Sequence, residues 1–223
     1  MSQTGVNLSD FVFEFTDDSG KVTRVLSFVG ETVVDIDFTD EDTRKAFDEY
    51  FGTKYAKDEE GYRKHIQSLL KTYQEKSETG ALTYKEKLKI RTELGVASNE
   101  FTLKKDGNNY VGYYNGKKFQ GRKQQDVLNL MGKAALFKDA GADFTVEYDK
   151  AGNSTKLIGK TTIGGTEVEV DFDSKGNIVY NYGGAKGINK EKLIGMLAKD
   201  GKFDQGGTYT FTDKNGKKYT STV

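Results

Sequence analysis

The chain has 223 residues, 34 Lys and Arg against 34 Asp and Glu, one His, and no Cys, Pro or Trp. Zero Cys excludes disulfides, thiolate zinc sites, iron–sulfur clusters and Cys nucleophiles together, and a net charge of zero argues against nonspecific DNA binding as the main role. No apolar run approaches the roughly 18–20 residues of a membrane span, and residues 1–10 have neither the basic start nor the apolar stretch of a secretory signal.

The first elements read as strands. Phe11, Phe13 and Phe15 alternate as a half-buried strand requires, Asp17-Asp18-Ser19-Gly20 makes a turn, and 21–29 and 31–38 continue as two Val- and Phe-rich strands. A helical block follows. Thr39 with Asp42 three residues on reads as the start of a helix that runs to Phe51 and Gly52. A second helix spans 59–77 with Tyr62, Ile66, Leu69, Leu70 and Tyr73 on one stripe. A third starts at Thr83, with Glu86 in the capping-box position, and stops at Gly95.

Beyond residue 97 the pattern changes to Gly-punctuated strands over 101–104, 109–114, 144–149, 156–163, 166–172 and 178–182. Helices over 124–139 and 190–199 interrupt them, and a hairpin of 208–212 with 217–222 closes the chain. The fold expected is α+β, mostly antiparallel β-hairpins and meanders with about five helices. It divides into an N-terminal β-meander plus helical block (1–97) and a hairpin-rich α+β region (98–223). Charge divides similarly: through Gly95 there are 14 basic and 19 acidic residues, and in the remainder 20 and 15.

One turn motif recurs, D-x-x-G-[KN], beginning at Asp17, Asp149, Asp173 and Asp213. Asp caps a type I turn and Gly takes the left-handed bulge position that rejoins the strands. The irregular spacing of the copies points to hairpin chemistry and not to a solenoid.

Catalytic signatures are sparse. His65, the single histidine, lies inside the second helix, where a half-buried or solvated structural role is expected. Gly159-Lys160-Thr161 lacks the partner Gly and the helix of a phosphate loop, and Gly183-Gly184-Ala185-Lys186-Gly187 reads as a flexible loop. Asp35, Asp37, Asp40, Glu41 and Asp42 place five carboxylates in eight positions, read as solvent-facing and helix-capping groups more than as a cation site. No catalytic residue, metal ligand or cofactor is assigned. The strongest binding pattern is Lys104, Lys105, Tyr110, Tyr114, Lys117, Lys118 and Phe119, with Tyr113 and Arg122 nearby. Basic residues interleaved with aromatics on strands are how open β-surfaces hold single-stranded nucleic acid or sugars. The period of two puts Tyr110 and Tyr114 on one face and Tyr113 on the other, so only half can form a platform. The competing reading is a small hairpin with one aromatic face in the core.

Proline carries further information. About eleven would be expected at an average usage of ~5%, and their absence removes the slow isomerisation phase from folding. This suits a chain threaded out unfolded or made in bulk for an assembly; a lineage with skewed composition explains it equally. Residues 143–223, with their D-x-x-G-[KN] hairpins, the run Gly206-Gly207-Thr208-Tyr209-Thr210-Phe211-Thr212-Asp213 and no Cys, Trp or Pro, resemble the variable outer domains of bacterial flagellins and related axial proteins. The resemblance implies subunits exported unfolded into a filament, with no catalytic residues. It departs from flagellins in lacking long heptad-patterned helices at the ends of the chain. The function expected is therefore a non-enzymatic structural or assembly protein of an extracellular filament, cell surface or virus particle. It would work by self-association or with partner proteins, without membrane insertion, and would be cytoplasmic if not exported. The alternative is a binding module for single-stranded nucleic acid or polysaccharide through the hairpin near 104–123.

Overall fold

The structure, a computed structural model, describes residues 12–202, 208–212 and 215–222. Phe11 of the first expected strand, and Asp213 and Lys214 of the fourth turn motif, lie outside the described residues. The fold is α+β, with five α-helices and every strand pairing antiparallel.

β1 (Val12–Thr16), β2 (Val22–Val29) and β3 (Thr32–Asp37) form an N-terminal meander. Then come α1 (Glu41–Phe51), a single 3-10 turn, α2 (Glu59–Ser77) and α3 (Tyr84–Ala97). β4 (Thr102–Asp106), β5 (Asn109–Tyr114) and β6 (Lys117–Gly121) make a second meander, followed by α4 (Gln124–Asp139). A third meander takes the order β11-β10-β9-β8-β7 from β7 (Asp143–Tyr148), β8 (Ser154–Ile163), β9 (Thr166–Phe172), β10 (Ile178–Tyr182) and β11 (Ala185–Ile188). α5 (Lys190–Lys199) and the hairpin of β12 (Thr208–Thr212) with β13 (Lys218–Thr222) complete the described chain.

Local chemistry explains most boundaries. In the turn motifs at Asp17, Asp149 and Asp173, the Asp Oδ1 accepts backbone N–H bonds from the residues two and four positions on, at 2.9–3.0 Å. The following Gly has φ between 75° and 84°. Thr83 and Glu86 form the expected capping box of α3.

Three boundaries differ from the sequence reading. Asp40, not Thr39, caps α1, accepting from the amides of Asp42 and Thr43; Thr39 is drawn back because both its N–H and its hydroxyl donate to Asp37. α3 runs through Gly95 to Ala97. Gly95 is needed for contact and not termination: a Cβ there would come within 2.3 Å of the Phe101 ring. Gly183 and Gly184 form no flexible loop. With φ of 58° and 82° they make the two-residue turn between β10 and β11, where Tyr182 pairs with Ala185.

Packing converges on α3 and α4. α3 contacts α1, α2, α4 and β3, and α4 contacts β5, β6, β7 and β8. Ile90 to Ala97 of α3 are all buried, which no helix with a solvated face would show. One hydrophobic cluster runs from Val25 through Phe47, Leu94, Leu128 and Phe137 to Val170, so residues on both sides of position 97 share a core. A smaller cluster of Val168, Ile188, Leu193 and Leu197 seats α5.

Candidate functional site

The basic-aromatic hairpin divides by strand register. Thr102, Tyr113 and Lys118 form one cross-strand row, and Lys104, Val111 and Gln120 another. The alternating residues face inward: Leu103, Gly112 and Phe119 in one row, Lys105, Tyr110 and Gly121 in the next. Phe119 is fully buried and Tyr114 is 6% exposed. Tyr114 packs edge-on against Phe101 and alongside Phe144. Tyr110 is half-buried against the core. Tyr114 and Phe119 therefore belong to the core and offer no ring face to a ligand. Lys104, Lys105, Lys117 and Lys118 are exposed.

The exposed ring is Tyr113, at 51%. A second lies beside it in the fold: the Tyr148 hydroxyl donates to the Lys118 carbonyl oxygen at 2.6 Å and leaves the ring 46% exposed. Tyr148 lies 30 residues from Lys118, so no local spacing signalled it. Between 102 and 123 there are six basic side chains and one carboxylate. That excess of five equals the whole excess of residues 96–223, which is otherwise balanced. None of the six takes part in an ion pair among the described residues.

The N-terminal sheet carries a surface of different chemistry. Its inner face, with Val25, Ser27, Val29, Val34 and Ile36, is buried. α2 reaches this side through Gln74 Nε2 donating to Ser27 Oγ and Gln67 Nε2 donating to Glu14. Its outer face bears Phe13, Phe15, Leu26, Phe28 and Val33, placed together by the pairs Phe13–Leu26, Phe15–Arg24 and Phe28–Val33, with the Arg24–Asp35 ion pair and Asp37 along one side of them. Three of the seven large exposed hydrophobics among the described residues, Phe13, Phe15 and Val33, lie on this one face, where chance would scatter them. No strand pairs with the outer edge of β1 among the described residues.

The five-carboxylate run is distributed by its hydrogen bonds. Asp35 accepts Arg24 Nε at 2.7 Å and a second bond from the same guanidinium, Asp37 holds Thr39, and Asp40 caps α1. Among the described residues no group of three His, Asp or Glu side chains is arranged to hold a metal ion. The Arg24 fork holds the Asp35 carboxyl below its usual range. This contribution is present above the ordinary Asp value of about 3.9 and is lost as pH falls through the lower folded value. Replacing Arg24 with Gln is expected to raise the Asp35 midpoint toward that ordinary value in an NMR titration; an unmoved midpoint would contradict the pairing.

His65 is embedded among rings, stacked on Tyr55 and edge-on to Phe47, with Glu93 at 3.8 Å. Burial raises the Glu93 carboxyl, opposed by the charge of His65. A crevice of about 250 Å³, absent from the sequence reading, lies between the β2–β3 turn, α2, α4 and the β9–β10 turn. Lys87 and Asp139 line it. The Lys87 amine, lowered by burial, donates to the Gly176 carbonyl at 3.2 Å, and Asp139 Oδ2 accepts from Arg91 at 2.8 Å. Both groups serve to join elements: Lys87 ties α3 to the β9–β10 turn, and Asp139 ties α4 to α3.

Compared with protein-family models, with curated proteins and with solved structures, the chain finds no match.

Proposed function

We propose that this chain is a non-enzymatic structural protein that assembles with further copies of itself through the outer face of the β1–β2–β3 sheet. The observation that carries the reading is the apolar character of that face, where Phe15 and Val33 stand 48% and 45% exposed beside half-buried Leu26 and Phe28. Contiguous apolar surface on a chain with mean hydropathy of −0.69 is costly to leave in water, and packing sheet on sheet removes it. Opposite charge supports self-association over association with an unrelated partner. Residues 1–95 carry a net −5, and the excess of +5 is concentrated between 102 and 123. A copy approaching head to tail would bring these regions together, and such contacts generate rings or filaments.

The test is light scattering with electron microscopy of the same samples. Val33→Glu puts a charge on the outer face without touching the core, so circular dichroism should be unchanged. Scattering mass at fixed concentration is expected to fall to that of a single chain. Assemblies of undiminished mass in the folded variant would overturn the assignment of the face.

A further inference from the structure

We infer that the outer face of the β4–β5–β6 sheet binds single-stranded nucleic acid. This goes beyond the self-assembly reading: the basic hairpin, which that reading sets against the acidic half of another copy, here takes a polyanion in its place. Three features converge there. The first is charge: Lys104 and Lys118 stand on that face, Lys105 and Lys117 lie in the inward-facing rows at the strand ends, and Arg122 and Lys123 follow β6; all six are exposed, face one carboxylate within their span, and form no ion pair among the described residues. Six unneutralised cations favour a polyanion, and each phosphate they neutralise releases counterions.

The second is a ring free to stack. Tyr113 stands on the outer face with Lys118 directly across the sheet and Lys104 on the strand at its other side. It engages no other ring among the described residues. Stacking on an exposed aromatic needs an unpaired base, because in a duplex the base faces are already covered. The Tyr148 ring, fixed by its hydrogen bond to Lys118, offers a second stacking surface at the edge of β6. An exposed ring flanked by cations distinguishes this surface from one that would merely attract an acidic polysaccharide.

The third is rigidity. Behind Tyr113 the sheet is pressed onto α4 so closely that a Cβ on Gly112 would come within 2.9 Å of Met131 Sδ. Buried Leu103 and Phe119 fix the flanking strands. The β7–β8 turn clamps the free edge of β6, where Gln120 donates from its backbone to Ser154 Oγ and from its side chain to Asn153 and Ala151. A platform already in place loses little conformational freedom on binding.

The experiment is fluorescence anisotropy of the full chain with a labelled oligothymidylate, repeated over a salt series. Binding is expected to weaken steeply with salt. Tyr113→Ala is expected to lower affinity about tenfold with the salt slope unchanged, because stacking is lost and phosphate contact kept. Lys104→Gln with Lys118→Gln is expected to flatten the slope by about 0.7 per lysine. All the altered side chains are exposed, so folding is retained and circular dichroism confirms it. Three results would overturn the inference: no binding at low salt, a duplex of equal length binding as tightly, or heparin and the oligonucleotide binding equally with Tyr113→Ala without effect.

Discussion

Arg91→Ala is expected to destabilise the fold by about 3–5 kcal/mol, the cost of leaving a buried carboxylate without its counter-charge. Arg91 is 0% exposed and lies in α3 at the centre of the core. Its Nε donates to Asp139 Oδ2 at 2.8 Å, and its two terminal nitrogens fork onto Glu100 at 2.9 Å each. One guanidinium thus joins α3, the end of α4 and the segment leading into β4. Lysine cannot supply the planar fork, so Arg91→Lys should recover little. Burial raises the Asp139 carboxyl despite the attraction of Arg91. A carboxyl raised on folding is held more readily in its protonated form, so ionising it costs stability as pH rises from about 3.9 through the folded value. Without Arg91 the folded value climbs further. The deficit of Arg91→Ala should therefore be larger at pH 7 than at pH 4.5. Urea unfolding at both values measures it, and a deficit independent of pH would contradict the role given to Asp139.

Gly30→Ala is expected to cost about 3 kcal/mol from two separable causes. Gly30 sits in the β2–β3 turn at φ 59°, where an L side chain is strained. A Cβ there would also fall 2.0 Å from the Asp139 carbonyl oxygen, which is backbone and cannot swing aside. That same oxygen accepts the Glu31 N–H at 2.8 Å, so moving it breaks the bond joining the N-terminal meander to α4. Gly107 separates the causes. Its φ is 58°, yet nothing lies within 4 Å of its Cβ position, so Gly107→Ala should show the backbone strain alone, about 1–2 kcal/mol. Equal losses in the two variants would remove the steric contact from the explanation.

Local chemistry was legible in the sequence wherever it acts over a few residues. The boundaries of α2, α4 and α5 follow apolar periodicity and flanking signals, and the three described Asp turns follow one motif. The failures are long-range. Gly95 looked like a helix stop because its contact with the Phe101 ring is invisible in a linear pattern. The sequence pattern puts Tyr114 and Phe119 on the binding face ahead of Tyr113, because alternation separates faces without saying which one a helix covers; α4 makes the opposite choice. The Arg91–Asp139 pair, 48 residues apart, and the Tyr148 ring beside Lys118 come together only through the fold. The apolar outer face of the N-terminal sheet is a similar case. Phe13 and Phe15 were readable as one side of a strand, but not as the side away from α2.

Sedimentation velocity of the unmodified chain across a wide concentration series tests self-assembly through that face most directly. The expected result is a sedimentation coefficient that rises with concentration, and that stays at the single-chain value throughout when Val33 is replaced by Glu. A single-chain value for the unmodified protein up to its solubility limit would contradict assembly altogether.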